Sequence, residues 1–390
     1  MVPSQCRVHA VPVARLEWRT GEPLPYPVQD VAELSESFLV AHGLAVGDLA
    51  VSRRAEAAHG VCGAALHVSA AAGAGLAGGP AGRPTPAPEI PDLAIIVYAH
   101  RGSSVTESSE SAPMGGLPTA GQYRLGDWVA SWTEQDHAHA VACVRDAIAA
   151  GDVYQVNVVG HAAAAYAGDP LPALARLASV RGAHYAGLMT GRDWAIACAS
   201  PETLVQVRDG VAVTRPIKGT TPATAAGRTA LLTSEKERAE HIMIVDLERN
   251  DLAHVAQIGS VTVPELFRLR HWGDLWQAES TVTARLRPGT GLAELLRAVC
   301  PGGSVTGAPK LAALAQIAAL EPVGRGASMG ALGWIGHDHI DLGLTIRTVA
   351  ATPTQLHLWA GGGITWGSDP RAEVAEAAAK AAPIRRLLRS

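Results

Sequence analysis

Two separated stretches carry acidic side chains at a spacing suited to a divalent cation. Glu237 and Glu240 fall at i and i+3, with Ile244 at i+7, so a helix presents all three on one face. Glu373, Glu376 and Lys380 repeat that spacing, after Asp369 as N-cap and Pro370 at the first helical position. Magnesium prefers hard oxygen ligands and keeps several waters, so two Glu-x-x-Glu faces can converge on one ion. The same residues have a second reading. Ser234-x-x-Glu237 is also a capping box, and Glu376 with Lys380 is also a surface i,i+4 ion pair.

Lys218 stands between Ile217 and Gly219 in PIKGT (216–220), directly after a predicted strand. Desolvation lowers a lysine's pKa and leaves a neutral amine able to act as nucleophile, although most lysines are surface charges. GGSVTGAPK (302–310) fails as a phosphate loop, because Pro309 precedes Lys310 and Leu311 stands where Ser or Thr belongs. GGGITW (361–366) misses the dinucleotide fingerprint, with Trp366 in place of the third glycine. Its glycine triplet lets backbone N–H groups approach an anion, or simply makes a turn. Fifteen histidines without a helical H-x-x-x-H pair give a zinc hydrolase no support.

Local pattern predicts the elements that must position these groups. Ala140, Val141, Val144 and Ile148 form a helical stripe over 134–150, closed by Gly151 and Asp152. Val153–Val159 reads as a strand, and Leu171, Leu174, Leu177 and Val180 as a helix. Asp209-Gly210 marks a hairpin between TLVQV and VAVTR. A long helix is expected from Ser234 to about His254, then strands through Leu286. Helices over Leu292–Cys300 and Ala308–Leu320, a hairpin at His337-Asp338, a strand to Ala360 and a last helix complete the pattern. Ala70–Pro91, rich in Gly and Pro, reads as a surface loop or hinge. Hairpin-joined strands with helices grouped between them indicate α+β with mainly antiparallel sheet.

Composition narrows the class. The sequence has 390 residues, 48% hydrophobic and 17% charged, ample for a sizeable core. A formal net charge of -4 offers no basic field for nucleic acid. No apolar run approaches about 18 residues, so no membrane span is expected. The opening residues are broken by Pro, His and Arg before a signal-like apolar region forms. Five scattered cysteines without a CxxC pair read as free thiols of a cytoplasmic protein.

Taken in order, a series of segments resembles the chorismate-utilising enzymes, which include anthranilate, aminodeoxychorismate, isochorismate and salicylate synthases. The segments are VYQVN (153–157), SPE (200–202), TRPIKGT (214–220), EHIMIVDLERNDLA (240–253) and STVTARL (280–286). PGGSVTGAPK (301–310), TIRT (345–348), AGGGI (360–364) and the helix of Glu373, Glu376 and Lys380 follow. The likeness runs from about residue 135 to 390. It implies two packed antiparallel sheets flanked by helices, with the site deep between them. Residues 1–130 would be a divergent part adding strands to the same unit, and 131–390 the chorismate-binding catalytic region.

The resemblance also implies roles. Magnesium would sit on Glu240 and Glu376, with Glu237 and Glu373 positioning its waters. Glu202 would be the general acid. Arg347, Lys380 and the amides of Gly361, Gly362 and Gly363 would hold substrate carboxylate, with Thr220, Gln155 and Gln277 also facing the substrate. Gln155 stands where the isochorismate and salicylate enzymes place a water-activating lysine, which disfavours water attack. Lys218 stands where anthranilate synthases have alanine. Lysine there is the aminodeoxychorismate pattern, in which the 4-hydroxyl of chorismate is replaced by an amino group for 4-aminobenzoate and folate synthesis. Ammonia would come from a separate glutamine amidotransferase subunit, since no Cys-His-Glu glutaminase set is recognisable. Two positions depart from the pattern: Gln277 replaces a histidine, and Ser328 replaces an aromatic residue, implying a more open pocket. Alternatives are anthranilate synthase component I, an amino-chorismate synthase of secondary metabolism, and a regulatory subunit that binds chorismate without turnover.

Overall fold

A computed structural model describes residues 10–52, 60–100, 117, 121–272 and 275–389. The first elements are β1 (Ala10–Trp18), α1 (Val31–Ala41), β2 (Val61–Val68), α2 (Ala70–Leu76), β3 (Leu93–His100) and β4 (Arg124–Ala130). Next come α3 (Glu134–Ala150), β5 (Gln155–Ala167), α4 (Leu171–Leu177), β6 (Tyr185–Thr190), β7 (Ala195–Ser200) and β8 (Thr203–Arg208). β9 (Val211–Arg215), β10 (Ile217–Pro222), α5 (Ala225–Thr233), α6 (Glu235–Ala253), β11 (Thr262–Trp272), β12 (Leu275–Arg285) and α7 (Leu292–Val299) follow. The last are β13 (Gly307–Ala308), α8 (Lys310–Leu320), β14 (Ala331–Gly336), β15 (His339–Leu344), β16 (Thr348–Ala351), β17 (Gln355–Ile364) and α9 (Pro370–Arg389).

Among the described residues, ten strands form the larger sheet in the order β1-β3-β2-β14-β15-β8-β9-β12-β10, with β11 also against β12. Seven form the smaller, β13-β5-β17-β16-β7-β6, with β4 beside β5. Every one of these pairings is antiparallel. This is the α+β architecture expected. Strands from the first hundred residues join the larger sheet through β2, which pairs with β14 from Val68↔Ala331 to Gly63↔Gly336.

Side-chain alternation on β7 shows how the layers meet. Ile196 and Cys198 enter the large core shared with β8, β14 and β15, while Ala195, Ala197 and Ala199 face a second cluster built with α4 and α9. Their small size lets the helices lie close. On the same smaller sheet, Val156 and Val158 of β5 pack with Val141 and Val144 of α3 and Ala313 and Ile317 of α8. The sheets also touch directly where Tyr185 of β6 covers Gly343 of β15, since a Cβ there would lie 2.1 Å from the ring.

Local signals act as expected in most places. Thr133 and Asp136 make a reciprocal capping box on α3, and Gly151 ends it in the left-handed region at φ 84°. Asp209 and Gly210, at φ 51° and 71°, turn β8 into β9. Ser234 caps α6 by accepting from Glu237 N, and Asp369 Oδ1 accepts from Arg371 N and Ala372 N to open α9.

Three expectations change, and one helix is added. Ala70–Leu76, read as loop or hinge, is helix α2, because Ser69 caps an alanine-rich turn and Gly73 presses against Pro301. The rest of that stretch is anchored by buried Ala87 and Ile90. Helix α5 was not foreseen, and β5 runs well beyond Val159 because it pairs with all of β17. The glycine triplet lies inside β17, paired as Gly361↔Val159, Gly362↔Val158 and Gly363↔Asn157, and is not a turn. No helix among the described residues is long and apolar enough to cross a membrane.

Candidate active site

Two of the points where the chain passes between the sheets lie side by side. Pro201 and Glu202 link β7 of the smaller sheet to β8 of the larger, and Thr345–Arg347 link β15 back to β16. Leu344 N donates to Glu202 O at 3.1 Å and Ala199 N to Arg347 O at 3.2 Å, so the crossings brace each other. Arg347 has a left-handed backbone at φ 51°, a cost of about 1–2 kcal/mol for a residue with a Cβ. Surrounding structure imposes it, as is common at sites.

Glu202 is buried between these crossings. Its Oε1 accepts from Ser304 Oγ at 2.7 Å and from Ile217 N at 3.4 Å. Burial pushes its pKa above the usual carboxylate range, against the opposing pull of Ser304, Lys218, the Ile217 amide and Arg347. Burial thus makes this carboxyl a weaker acid than an exposed glutamate.

Lys218 lies on β10 at a bulge in its pairing with β12, where Gly219 takes φ 70°. Bulges re-aim side chains. This one carries the side-chain nitrogen to Gly363, with Nζ 3.2 Å from where a Cβ at that glycine would sit. Burial drives its pKa down, Glu202 opposes, and Lys380 lowers it further, while Glu240 and Glu237 act the other way. Gln155 Nε2 is 2.7 Å from the same Cβ position. Its side chain is fully buried and neither amide atom has a hydrogen-bond partner among the described residues. Unmade bonds of that kind are costly and point to a ligand.

The acidic helices meet this region. Glu237 Oε2 lies 3.0 Å from the Cβ position of Gly219. Glu373 Oε2, Lys380 Nζ and Glu376 Oε1 lie 3.3, 3.5 and 3.8 Å from that of Gly362. Thr365 Oγ1, just past β17, donates to Glu240 Oε1 at 2.9 Å. Lys380 Nζ donates to Gly361 O at 2.9 Å and pairs with Glu376 Oε1 at 2.8 Å. The bland reading of Glu376 therefore holds as geometry, though a half-exposed pair contributes at most about 1 kcal/mol. Among the described residues no three Asp, Glu, His or Cys side chains are gathered as a ready-made metal cage. β16 accompanies β17 only over Leu356–Leu358, so among the described residues the triplet is paired by sheet on one side.

Gln277 Nε2 donates to Thr220 Oγ1 at 3.4 Å across β12 and β10, and Gln277 is buried. Ser328, buried, donates to Thr345 O at 3.2 Å and so supports the crossing of Arg347. Sequence reasoning passed over Ser304, which was weighed only as part of a phosphate loop. It also passed over Thr365 and His241. His241 is buried, its Nε2 is 2.5 Å from Ser280 Oγ, and burial, then the charge of Lys218, push its pKa down to about 4.

Residues 98–386 match the family described as chorismate binding enzyme. The chain belongs to that family. It is 37% identical over 310 residues to aminodeoxychorismate synthase component 1 of Klebsiella aerogenes, covering 74% of this chain and 69% of that protein. It is 41% identical over 267 residues to the Salmonella typhimurium protein of that name, covering 66% of this chain and 59% of the relative. The structure resembles anthranilate synthase component I of Streptococcus pneumoniae, with TM-score 0.76, 23% identity and coverage of 98% and 93% of the two chains. That likeness concerns the chorismate-binding fold alone. Within this family, the aminodeoxychorismate relatives carry the stronger sequence likeness, and the half-buried Lys218 stands at the bulge of β10 beside Gly363.

Proposed function

We propose that this chorismate binding enzyme is an aminodeoxychorismate synthase component I that converts chorismate and ammonia to 4-amino-4-deoxychorismate. The observation that carries the reading is the enclosed amine of Lys218, set against Gln155 and Gly363 and within the field of Glu202. A surface lysine would not be so enclosed.

Glu240 and Glu376 suit magnesium. They are hard carboxylates from different helices near one end of β17, and the ion takes one or two carboxylates with waters and substrate oxygens. When bound, magnesium supplies Lewis acidity to the ring carboxylate and draws electron density from the diene. Glu237 and Glu373 would orient waters around it.

Each protein group then has a task. The neutral Lys218 amine attacks C2, the ring double bonds shift, and the C4–O bond breaks. Glu202 gives its proton to the departing hydroxyl, which leaves as water. Ammonia adds at C4, the electron pairs move back, and the C2–N bond to Lys218 breaks. The Glu202 carboxylate takes the surplus proton from the new ammonium, which restores both groups. Arg347, Lys380 and the open edge of Gly361–Gly363 hold substrate carboxylate, Arg347 by its planar fork. Thr220, Gln155 and Gln277 contribute hydrogen bonds.

The reading includes a glutamine amidotransferase subunit as ammonia source, a cytoplasmic setting and supply of 4-aminobenzoate for folate. It also treats residues 131–390 as the catalytic region and 1–130 as strands added to it. The test is product identification after incubation with chorismate, magnesium and ammonium. Aminodeoxychorismate supports the reading, anthranilate replaces it, and unconsumed chorismate points to a binding subunit.

A further inference from the structure

Behind the site lies a buried ion pair that the chemistry above does not use. Arg325 Nε donates to Glu321 Oε2 at 2.9 Å and Nη2 to Glu321 Oε1 at 2.6 Å, a two-pronged contact. The side chains are 7% and 5% exposed, so water offers neither an alternative partner. The remaining bonds go to backbone. Arg325 Nη1 donates to Val305 O at 2.6 Å, Nη2 donates to Asn157 O at 2.7 Å, and Glu321 Oε1 accepts from Val159 N at 3.0 Å.

These backbone atoms belong to the two segments that carry site groups. Val305 follows Ser304, whose hydroxyl donates to Glu202 Oε1. Asn157 and Val159 lie on β5, which begins at Gln155. Asn157 Nδ2 also donates to Ser304 O at 3.3 Å, and Asn157 N to Thr306 O at 2.7 Å. A buried ion pair gives no more stability than apolar groups of the same volume. What the planar guanidinium offers is direction, because its donors have fixed bearings.

We propose that Glu321 and Arg325 are positioning residues, holding the Ser304 turn and the head of β5 so that Ser304 meets Glu202 and Gln155 faces the substrate. The inference rests on the proposed amination chemistry for its effect on rate, but its structural half does not. Glu202 is also faced by Lys218 of β10, Arg347 of the second crossing and Glu248 of α6. All three stay unchanged in the variants below, so a change at Glu202 reports the Ser304 contact.

The experiment is a carboxyl carbon-13 NMR titration of Glu202 in the full chain, assigned with Glu202→Gln. Parent, Arg325→Lys, Ser304→Ala and the double variant are compared. Lysine keeps the charge and loses the fork. Because the Ser304 bond favours the ionised form of Glu202, losing it raises the pKa. The expected result is an upward shift in Arg325→Lys, a similar shift in Ser304→Ala, and no further shift in the double variant. In parallel, kcat for chorismate amination falls roughly 10²-fold in Arg325→Lys with little change in KM. A folded Arg325→Lys whose Glu202 titrates as in the parent overturns the proposal, as do fully additive shifts. If Arg325→Lys does not fold, Glu321→Gln, which keeps volume and one acceptor oxygen, is read the same way. If the parent does not aminate chorismate, the proposed function fails while the titration still decides this one.

Discussion

Thr365 Oγ1 donates to Glu240 Oε1 at 2.9 Å, joining the segment after β17 to α6 at a carboxylate of the proposed metal pair. Glutamine at 240 can still accept that bond, so Glu240→Gln removes the charge and keeps the join. Titration calorimetry should show magnesium binding lost in Glu240→Gln and in Glu376→Gln, with turnover abolished and circular dichroism unchanged. Glu237→Gln and Glu373→Gln should each weaken binding by roughly 10–100-fold. Parent-like activity in Glu376→Gln would remove it from the site.

Glu202→Gln keeps shape and hydrogen bonding but cannot deliver a proton, so kcat should fall roughly 10²–10⁴-fold. The pH profile follows from the two shifted groups. Glu202 acts as the acid, and activity is lost as pH rises through its raised pKa. Lys218 acts as the free amine, and activity is lost as pH falls through its lowered pKa. The resulting bell should lose its alkaline limb in Glu202→Gln. An alkaline limb that survives there would mean another group protonates the leaving oxygen.

Lys218 should become covalently attached to the ring when ammonia is withheld. Intact-protein mass spectrometry with chorismate and magnesium should show a mass gain equal to chorismate minus water, mapped to Lys218 and absent in Lys218→Ala. Turnover with ammonia but no adduct under rapid quench would make Lys218 a charged clamp.

Gly363 leaves room for both Lys218 and Gln155. A methyl there would meet Gln155 Nε2 at 2.7 Å and Lys218 Nζ at 3.2 Å. Gly363→Ala should therefore cost about 1–3 kcal/mol of stability by overpacking, read from denaturant midpoints, and depress kcat strongly. An unchanged kcat would separate this glycine from the reacting centre.

The purified chain should use ammonium salts at high pH, where free ammonia is abundant, and should not use glutamine until an amidotransferase subunit is added. Robust glutamine-dependent activity from the chain alone would refute the two-subunit reading.

The sequence by itself determined what depends on near neighbours. Ser234 and Asp369 announced their helices because a cap needs only a side-chain oxygen beside free N–H groups. Asp209-Gly210 announced its hairpin because left-handed backbone is local. The same locality set Glu237 with Glu240, and Glu373 with Glu376, each on one helical face. Ordered motifs, read as a resemblance, added the family and the residues proposed for the site. Tertiary structure decided the rest. Whether Gly361–Gly363 was turn or strand depended on β5, a partner some 200 residues away in sequence, as the pairing Gly363↔Asn157 shows. Alanine-rich Ala70–Leu76 became a helix packed at Pro301 for a similar reason. Burial of Lys218 and Glu202, and with it the opposite displacement of their pKa values, arises where the chain crosses between two sheets. Desolvation belongs to the enclosing residues, not to the lysine or the glutamate. No spacing within PIKGT or SPE encodes it.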